Sequence, residues 1–176
     1  TTSLAYDAMG RCVSVTDALG NTSRTSYDAA GRVVAEQDAT GACTAYALDA
    51  VGLLEAVTDP RGYVTSFTYD EAYNIASMTD ALGNVTAFGY DALGNLTAEV
   101  GPTGAREERA YDSRSRLASV TDAEGGTASF AYDGRGRMVS AVNPLGGTEA
   151  YAYEGTRESP ATYTDALGNV TAFTYD

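Results

Sequence analysis

The sequence predicts an all-β fold: tandem 21-residue β-hairpin repeats forming a coiled, curved antiparallel sheet. Three observations point there. Tyr6, Tyr27, Tyr69, Tyr90, Tyr111, Tyr132 and Tyr153 stand 21 residues apart or twice that, Leu48 fills the missing place, and Tyr175 arrives one residue late. All fourteen aspartates fall at one of two positions in this period, so acidity and turns have one origin. The segments between turns are rich in Thr, Val, Tyr, Phe and Ala and too short for a stable helix, so they read as strands.

The clearest copy runs from Val85 to Val100, preceded by the turn Asp80-Ala81-Leu82-Gly83-Asn84. Its second Asp-Ala-Leu-Gly-Asn run is Asp91 to Asn95. Aspartate at the first position accepts a hydrogen bond from a backbone N–H two residues on, and the glycine supplies the left-handed conformation that closes the loop. On the incoming strand, Phe67, Phe88, Phe130, Tyr151 and Phe173 lie two residues before the marker tyrosine, so two aromatics share one face. On the outgoing strand, Cys12, Val33, Leu54, Ile75, Leu96, Leu117 and Met138 share a slot. Two residues later come Ser14, Ala35, Ala56, Ser77, Ala98, Ser119 and Ser140, which pleating places on the same face. Whether the aliphatic and aromatic faces coincide depends on a loop of four or five residues; a bulge at the glycine would bring them together.

Two strands per unit over about eight units give sixteen or so strands, which would span roughly 75 Å if flat. Open sheets rarely exceed about ten strands without curling, hence the expected curvature. The last unit departs from the pattern. Arg157-Glu158-Ser159-Pro160 replaces the aliphatic run and carries an extra residue, and Pro160 lacks an N–H, so a bulge or frayed edge is expected. Residues 1–176 read as one array, opening in mid-strand and stopping in mid-motif, as expected of a piece of a longer protein.

A net charge of −13 argues against binding a phosphate backbone, so no nucleic-acid partner is expected. No stretch approaches the roughly 20 apolar residues of a membrane span. There is no histidine, which removes the commonest general base and every His-dependent triad or zinc site. Glu107 and Glu108 are the one adjacent carboxylate pair, and on a strand they point to opposite faces. No catalytic residue is therefore assigned. No cofactor or metal is expected either: the Asp and Gly pattern fits calcium-binding nonapeptide arrays poorly, because each turn offers one carboxylate where Ca²⁺ takes six to eight oxygens. Cys12 and Cys43 match no metal or redox spacing and read as small core residues. Gly134-Arg135-Gly136-Arg137 is half of a dinucleotide fingerprint placed at a hairpin turn. Asn21, Asn84, Asn95 and Asn169 begin Asn-x-Ser/Thr triplets that arise wherever a turn Asn precedes a strand hydroxyl. Arg11, Arg32, Arg116 and Arg137 follow the first turn; pairing with turn carboxylates explains them, and an Arg and Tyr stripe binding sugar or a partner chain is the functional alternative.

The residues that carry the repeat are the pairs Tyr6-Asp7, Tyr27-Asp28, Tyr69-Asp70, Tyr90-Asp91, Tyr111-Asp112, Tyr132-Asp133 and Tyr175-Asp176, with Gly10, Gly31, Gly94 and Gly136 closing first turns and Asp80/Gly83 and Asp165/Gly168 forming second turns. This pattern, Tyr-Asp-x-x-Gly-Arg/Asn followed by Asp-x-x-Gly-Asn-x-Thr and the next Tyr-Asp, resembles the YD-repeat, or Rhs-repeat, family over essentially the whole chain. Departures are local: Leu48 lacks the ring, Tyr73 and Ser115 replace a glycine, and Glu154 replaces an aspartate. The resemblance implies a spiralling β-sheet that winds into a hollow shell, in bacterial members enclosing a C-terminal toxin; related repeats occur in the extracellular part of teneurins. It implies a non-enzymatic scaffold, secreted or on the cell surface, whose partners are its own C-terminal effector domain and flanking repeats, with surface glycans as the alternative. Asp59-Pro60-Arg61-Gly62 is similar to the family's core-ending motif but sits in an ordinary second-turn slot.

Overall fold

Strand composition and turn chemistry act together at every repeat of the computed structural model, which describes residues 1–175. The chain divides into two compact units, Thr1–Thr86 and the residues from Ala87 onward. The first holds β1 (Ser3–Tyr6), β2 (Cys12–Thr16), β3 (Thr22–Tyr27), β4 (Val33–Gln37), β5 (Cys43–Leu48), β6 (Leu54–Thr58), β7 (Val64–Tyr69) and β8 (Ile75–Thr79). From β1 to β8, consecutive strands pair antiparallel. The boundary falls within β9 (Val85–Tyr90). The second unit continues through β10 (Leu96–Val100), β11 (Arg106–Tyr111), β12 (Leu117–Thr121), β13 (Thr127–Tyr132), β14 (Met138–Val142), β15 (Thr148–Ala152), β16 (Thr162–Thr164) and β17 (Val170–Ala172), again paired in sequence order. Among the described residues there is no helix. A six-residue strand, a five-residue turn, a five-residue strand and a second five-residue turn complete the regular period.

Five residues, Asp7 to Arg11, separate the directly opposed Tyr6 and Cys12. The same opposition recurs as Tyr27 with Val33, Leu48 with Leu54, Tyr69 with Ile75, Tyr90 with Leu96, Tyr111 with Leu117 and Tyr132 with Met138. Aromatic and aliphatic residues thus share a face next to the first turn. One residue further from the turn, the register slips: Ala5 faces Ser14, so Val13 is an extra residue on the outgoing strand. The glycine closes the five-residue loop as a bulge, which brings the aromatic and aliphatic residues together, and this second bulge lies one residue past the start of the outgoing strand.

The slip also corrects the expected large-and-small pairing on the outgoing strand. Cys12 opposes Tyr6, whereas Ser14 opposes Ala5, a residue of the other pleat, so the small residues lie on the opposite face. That second face is built of small side chains: Ala47, Ala56 and Ser66 form one cross-strand row, and Ala110, Ser119 and Ser129 another.

No enclosed core results. Among the described residues only Ala98 is buried, at 9% exposure. The chain exposes 11180 Å², where a compact monomer of 18.3 kDa exposes about 8,100 Å². A single layer leaves both faces uncovered, so backbone ladders, cross-strand pairs and turns carry the stability. The cysteine expectation changes accordingly. Cys12 is half-buried, Cys43 is exposed, and both are free. The slot of Cys43 is not a core position, since Val64, Val85 and Val170 are 43%, 46% and 66% exposed.

The last unit is irregular, as expected. Strands β16 and β17 shrink to three residues each, and the Ala161 N–H donates to the Ala152 carbonyl at 2.7 Å. The extra residue is absorbed between Tyr153 and Pro160. The spacing of fifteen from Pro160 to Tyr175 keeps its contact, because the Tyr175 hydroxyl donates to the Pro160 carbonyl at 2.9 Å.

Candidate functional site: the turn and its inter-repeat clamp

Every regular turn is closed by the same bonds. The Asp7 N–H donates to the Arg11 carbonyl and the Gly10 N–H to the Asp7 carbonyl, each at 3.0 Å. The Asp7 Oδ1 accepts from the Met9 and Arg11 N–H groups at 2.9 and 3.0 Å. This is a type I turn followed by a left-handed residue, a common hairpin closure. Asp28, Asp70, Asp80, Asp91, Asp112, Asp133 and Asp165 repeat it. The aspartate thus satisfies two amides, one more than the sequence suggests. Gly10, Gly31, Gly83, Gly94, Gly136 and Gly168 all have φ between 78° and 94°. Tyr73 and Ser115 hold the same position at φ 66° and 57°, a strained conformation for a residue with a Cβ. Asp176 lies outside the described residues.

The remaining carboxylate oxygen, Oδ2, takes a side chain from the last loop position. Where that residue is Asn, its amide donates, as in Asn84 to Asp80 at 2.8 Å and Asn95 to Asp91 at 2.8 Å. Where it is Arg, the Nε donates: Arg11 to Asp7 at 2.6 Å, Arg32 to Asp28 at 2.7 Å, Arg116 to Asp112 at 2.7 Å and Arg137 to Asp133 at 2.7 Å. These donors hold the carboxyls below the ordinary carboxylate range. The side-chain bond from Arg116 brings Asp112 to about 2, the backbone bond from Arg11 lowers Asp7 first, and the Asn84 and Asn95 amides lower Asp80 and Asp91.

Arginine does more than neutralise its own turn. Arg11 Nη1 continues to the Asp28 carbonyl in the next repeat at 3.0 Å, Arg32 Nη1 to Asp49 at 3.3 Å and Arg116 Nη1 to Asp133 at 3.1 Å. The guanidinium carbons of Arg11, Arg116 and Arg137 lie 4.8, 4.6 and 4.4 Å from the ring centroids of Tyr27, Tyr132 and Tyr153, within cation–π range. Those tyrosines reach back in turn. The hydroxyls of Tyr27, Tyr69, Tyr111, Tyr132 and Tyr153 donate to the carbonyls of Cys12, Leu54, Leu96, Leu117 and Met138 at 2.7 to 3.0 Å, each fifteen residues earlier. Arginine forward and tyrosine backward form a clamp between consecutive hairpins.

The clamp revises the reading of the arginines as weak surface pairs, because each ties two repeats together. In the Arg and Tyr stripe, guanidinium and ring already face one another. The sequence holds one signal for this: the aliphatic slot precedes the next marker position by fifteen residues, and that position is a tyrosine in every regular repeat but the one with Leu48. Elsewhere, Glu107 pairs with Arg109 while Glu108 pairs with Arg106 at 2.7 Å, and the two glutamates act separately.

Fold and site together define a β-hairpin repeat array whose neighbouring units interlock through their turns. The RHS Repeat model matches residues 6–42, 49–85, 74–106 and 111–148. The chain belongs to the RHS-repeat family. Among solved structures it is similar to TcdB2-TccC3, with a TM-score of 0.73 at 18% identity, covering 94% of this chain and 11% of that one. The TcdB2-TccC3 crystal structure without the hypervariable C-terminal region gives 0.71 at 18% identity, over 94% of this chain and 10% of that one. The chain therefore spans about a tenth of these relatives, and at this identity the likeness is one of fold. No curated protein matches it.

Proposed function

We propose that this chain is a non-enzymatic wall segment, part of the β-shell of a secreted or surface-attached bacterial RHS-repeat protein that encloses its own C-terminal effector domain. The observation that carries this reading is the inter-repeat clamp: the aspartates, arginines and tyrosines most open to chemistry are used to fasten one hairpin to the next. A wall needs continuous backbone pairing, fixed register and sealed joints between repeats, and these residues supply all three. The family match and the shared fold with TcdB2-TccC3, one of whose crystal structures lacks a hypervariable C-terminal region, support the reading. Flanking repeats of the parent chain are the immediate partners. Adhesion through surface glycans is the weaker reading, because the Arg and Tyr side chains it would need are already paired.

Cryo-electron microscopy of the full-length parent tests this. Density for a C-terminal domain inside a closed wall is the expected result; an open array with that domain outside would overturn it and return attention to adhesion, which a glycan array on the purified protein would then examine.

A further inference from the structure

We propose that the first unit has a built-in yield point at the repeat carrying Leu48 and Leu53, where local opening starts. A complete joint has a tyrosine hydroxyl on the carbonyl fifteen residues back, a guanidinium on that ring, and the same arginine bridging its own aspartate to the next repeat. Around β13 and β14 every part is present: Tyr132 bonds the Leu117 carbonyl, Arg116 lies over Tyr132, Arg137 lies over Tyr153, and Tyr153 bonds the Met138 carbonyl.

At Leu48 two parts are missing together. Leucine has no hydroxyl for the Val33 carbonyl and no ring for Arg32, whose Nη1 contact to the Asp49 carbonyl is 3.3 Å against 3.0 and 3.1 Å for Arg11 and Arg116. Five residues on, Leu53 stands in the clamp position. Its backbone N–H still bonds the Asp49 Oδ1 at 2.8 Å, but its side chain can form neither an ion pair with Asp49 nor a bridge to Asp70. The backbone register is unchanged, with Leu48 opposite Leu54 and Ala47 opposite Ala56. The ladder is intact while the side-chain fastening is reduced to one inter-repeat bond on each side of the hairpin, Arg32 to the Asp49 carbonyl and the Tyr69 hydroxyl to the Leu54 carbonyl. In a linear array, stability is a sum over repeats and their interfaces, so opening begins where the interface contributions are smallest. This holds whether or not the array encloses a domain.

Native-state hydrogen exchange on the full-length chain, read by mass spectrometry and corrected for intrinsic rates, tests it. Amides of β5 and β6 exchange about tenfold faster than those of β13 and β14, the scale expected for losing roughly one hydrogen bond's worth of interface stability. The combined Leu48→Tyr and Leu53→Arg variant brings the two regions to similar protection. Equal or greater protection of β5 and β6 in the native chain would overturn the proposal, and so would a folded double variant that still exchanges fast. If that variant does not fold, the native comparison alone decides.

Discussion

At the scale of single residues, the turn glycine and the marker tyrosine make separable contributions. Gly94 has φ 81°, and nothing lies within 4 Å of the place a Cβ would occupy, so space is not the constraint and backbone conformation is. Its neighbour Leu93 is 73% exposed at the turn tip. Gly94→Val therefore lowers the melting temperature by more than Leu93→Ala, because a β-branched residue tolerates the left-handed region poorly; equal melting temperatures in a thermal scan would refute this. Tyr132→Phe keeps the ring under Arg116 and removes only the hydroxyl bond to Leu117, a loss of about 0.5–1.5 kcal/mol in chemical denaturation. The glycine is legible in the sequence because its conformational demand is local. The hydroxyl bond is not, because its acceptor is a backbone carbonyl on another hairpin and leaves no mark in residue type.

At the scale of elements, strands and turns are legible from period and composition, while the face assignment on the outgoing strand is not. One inserted residue reverses every pleat beyond it, and here the insertion sits at Val13 and its equivalents, where nothing in the residue types distinguishes a bulged strand from a regular one. The arginines are visible in the sequence, but their reach into the next repeat depends on the three-dimensional spacing of hairpins. Their role can be isolated by comparing two arginines of neighbouring turns. Arg116 bonds Asp112, the Asp133 carbonyl and the Tyr132 ring. Arg135 sits exposed at a turn tip, where its backbone N–H bonds Asp133. Arg116→Met lowers the melting temperature by several degrees and Arg135→Met leaves it nearly unchanged, since substitutions away from such contacts are usually close to neutral. Similar losses for both would mean that net charge, not the clamp, governs stability.

At the scale of the whole molecule, the same carboxylates set the response to acid. Asp7, Asp17, Asp28, Asp70, Asp80, Asp91, Asp112, Asp133 and Asp165 are all held below the ordinary aspartate value of 3.8, through hydrogen bonds from their own turns and, at four of them, from an arginine. A carboxyl whose pKa is lowered on folding contributes stability that is fully present above its unfolded value and is lost as pH falls through the folded one. The loss therefore begins below about pH 4 and continues toward the value of about 2 held by Asp112. With no histidine in the chain, no side chain of ordinary pKa changes charge between pH 5 and 8. Because each repeat carries up to two such carboxylates, their losses accumulate along the array instead of resting on one switch. The melting temperature measured in constant ionic strength is accordingly flat from pH 8 to 5 and falls steeply below pH 4. A transition centred between pH 5 and 6 would show that some other group controls the fold, and would displace the turn aspartates from the role the structure gives them.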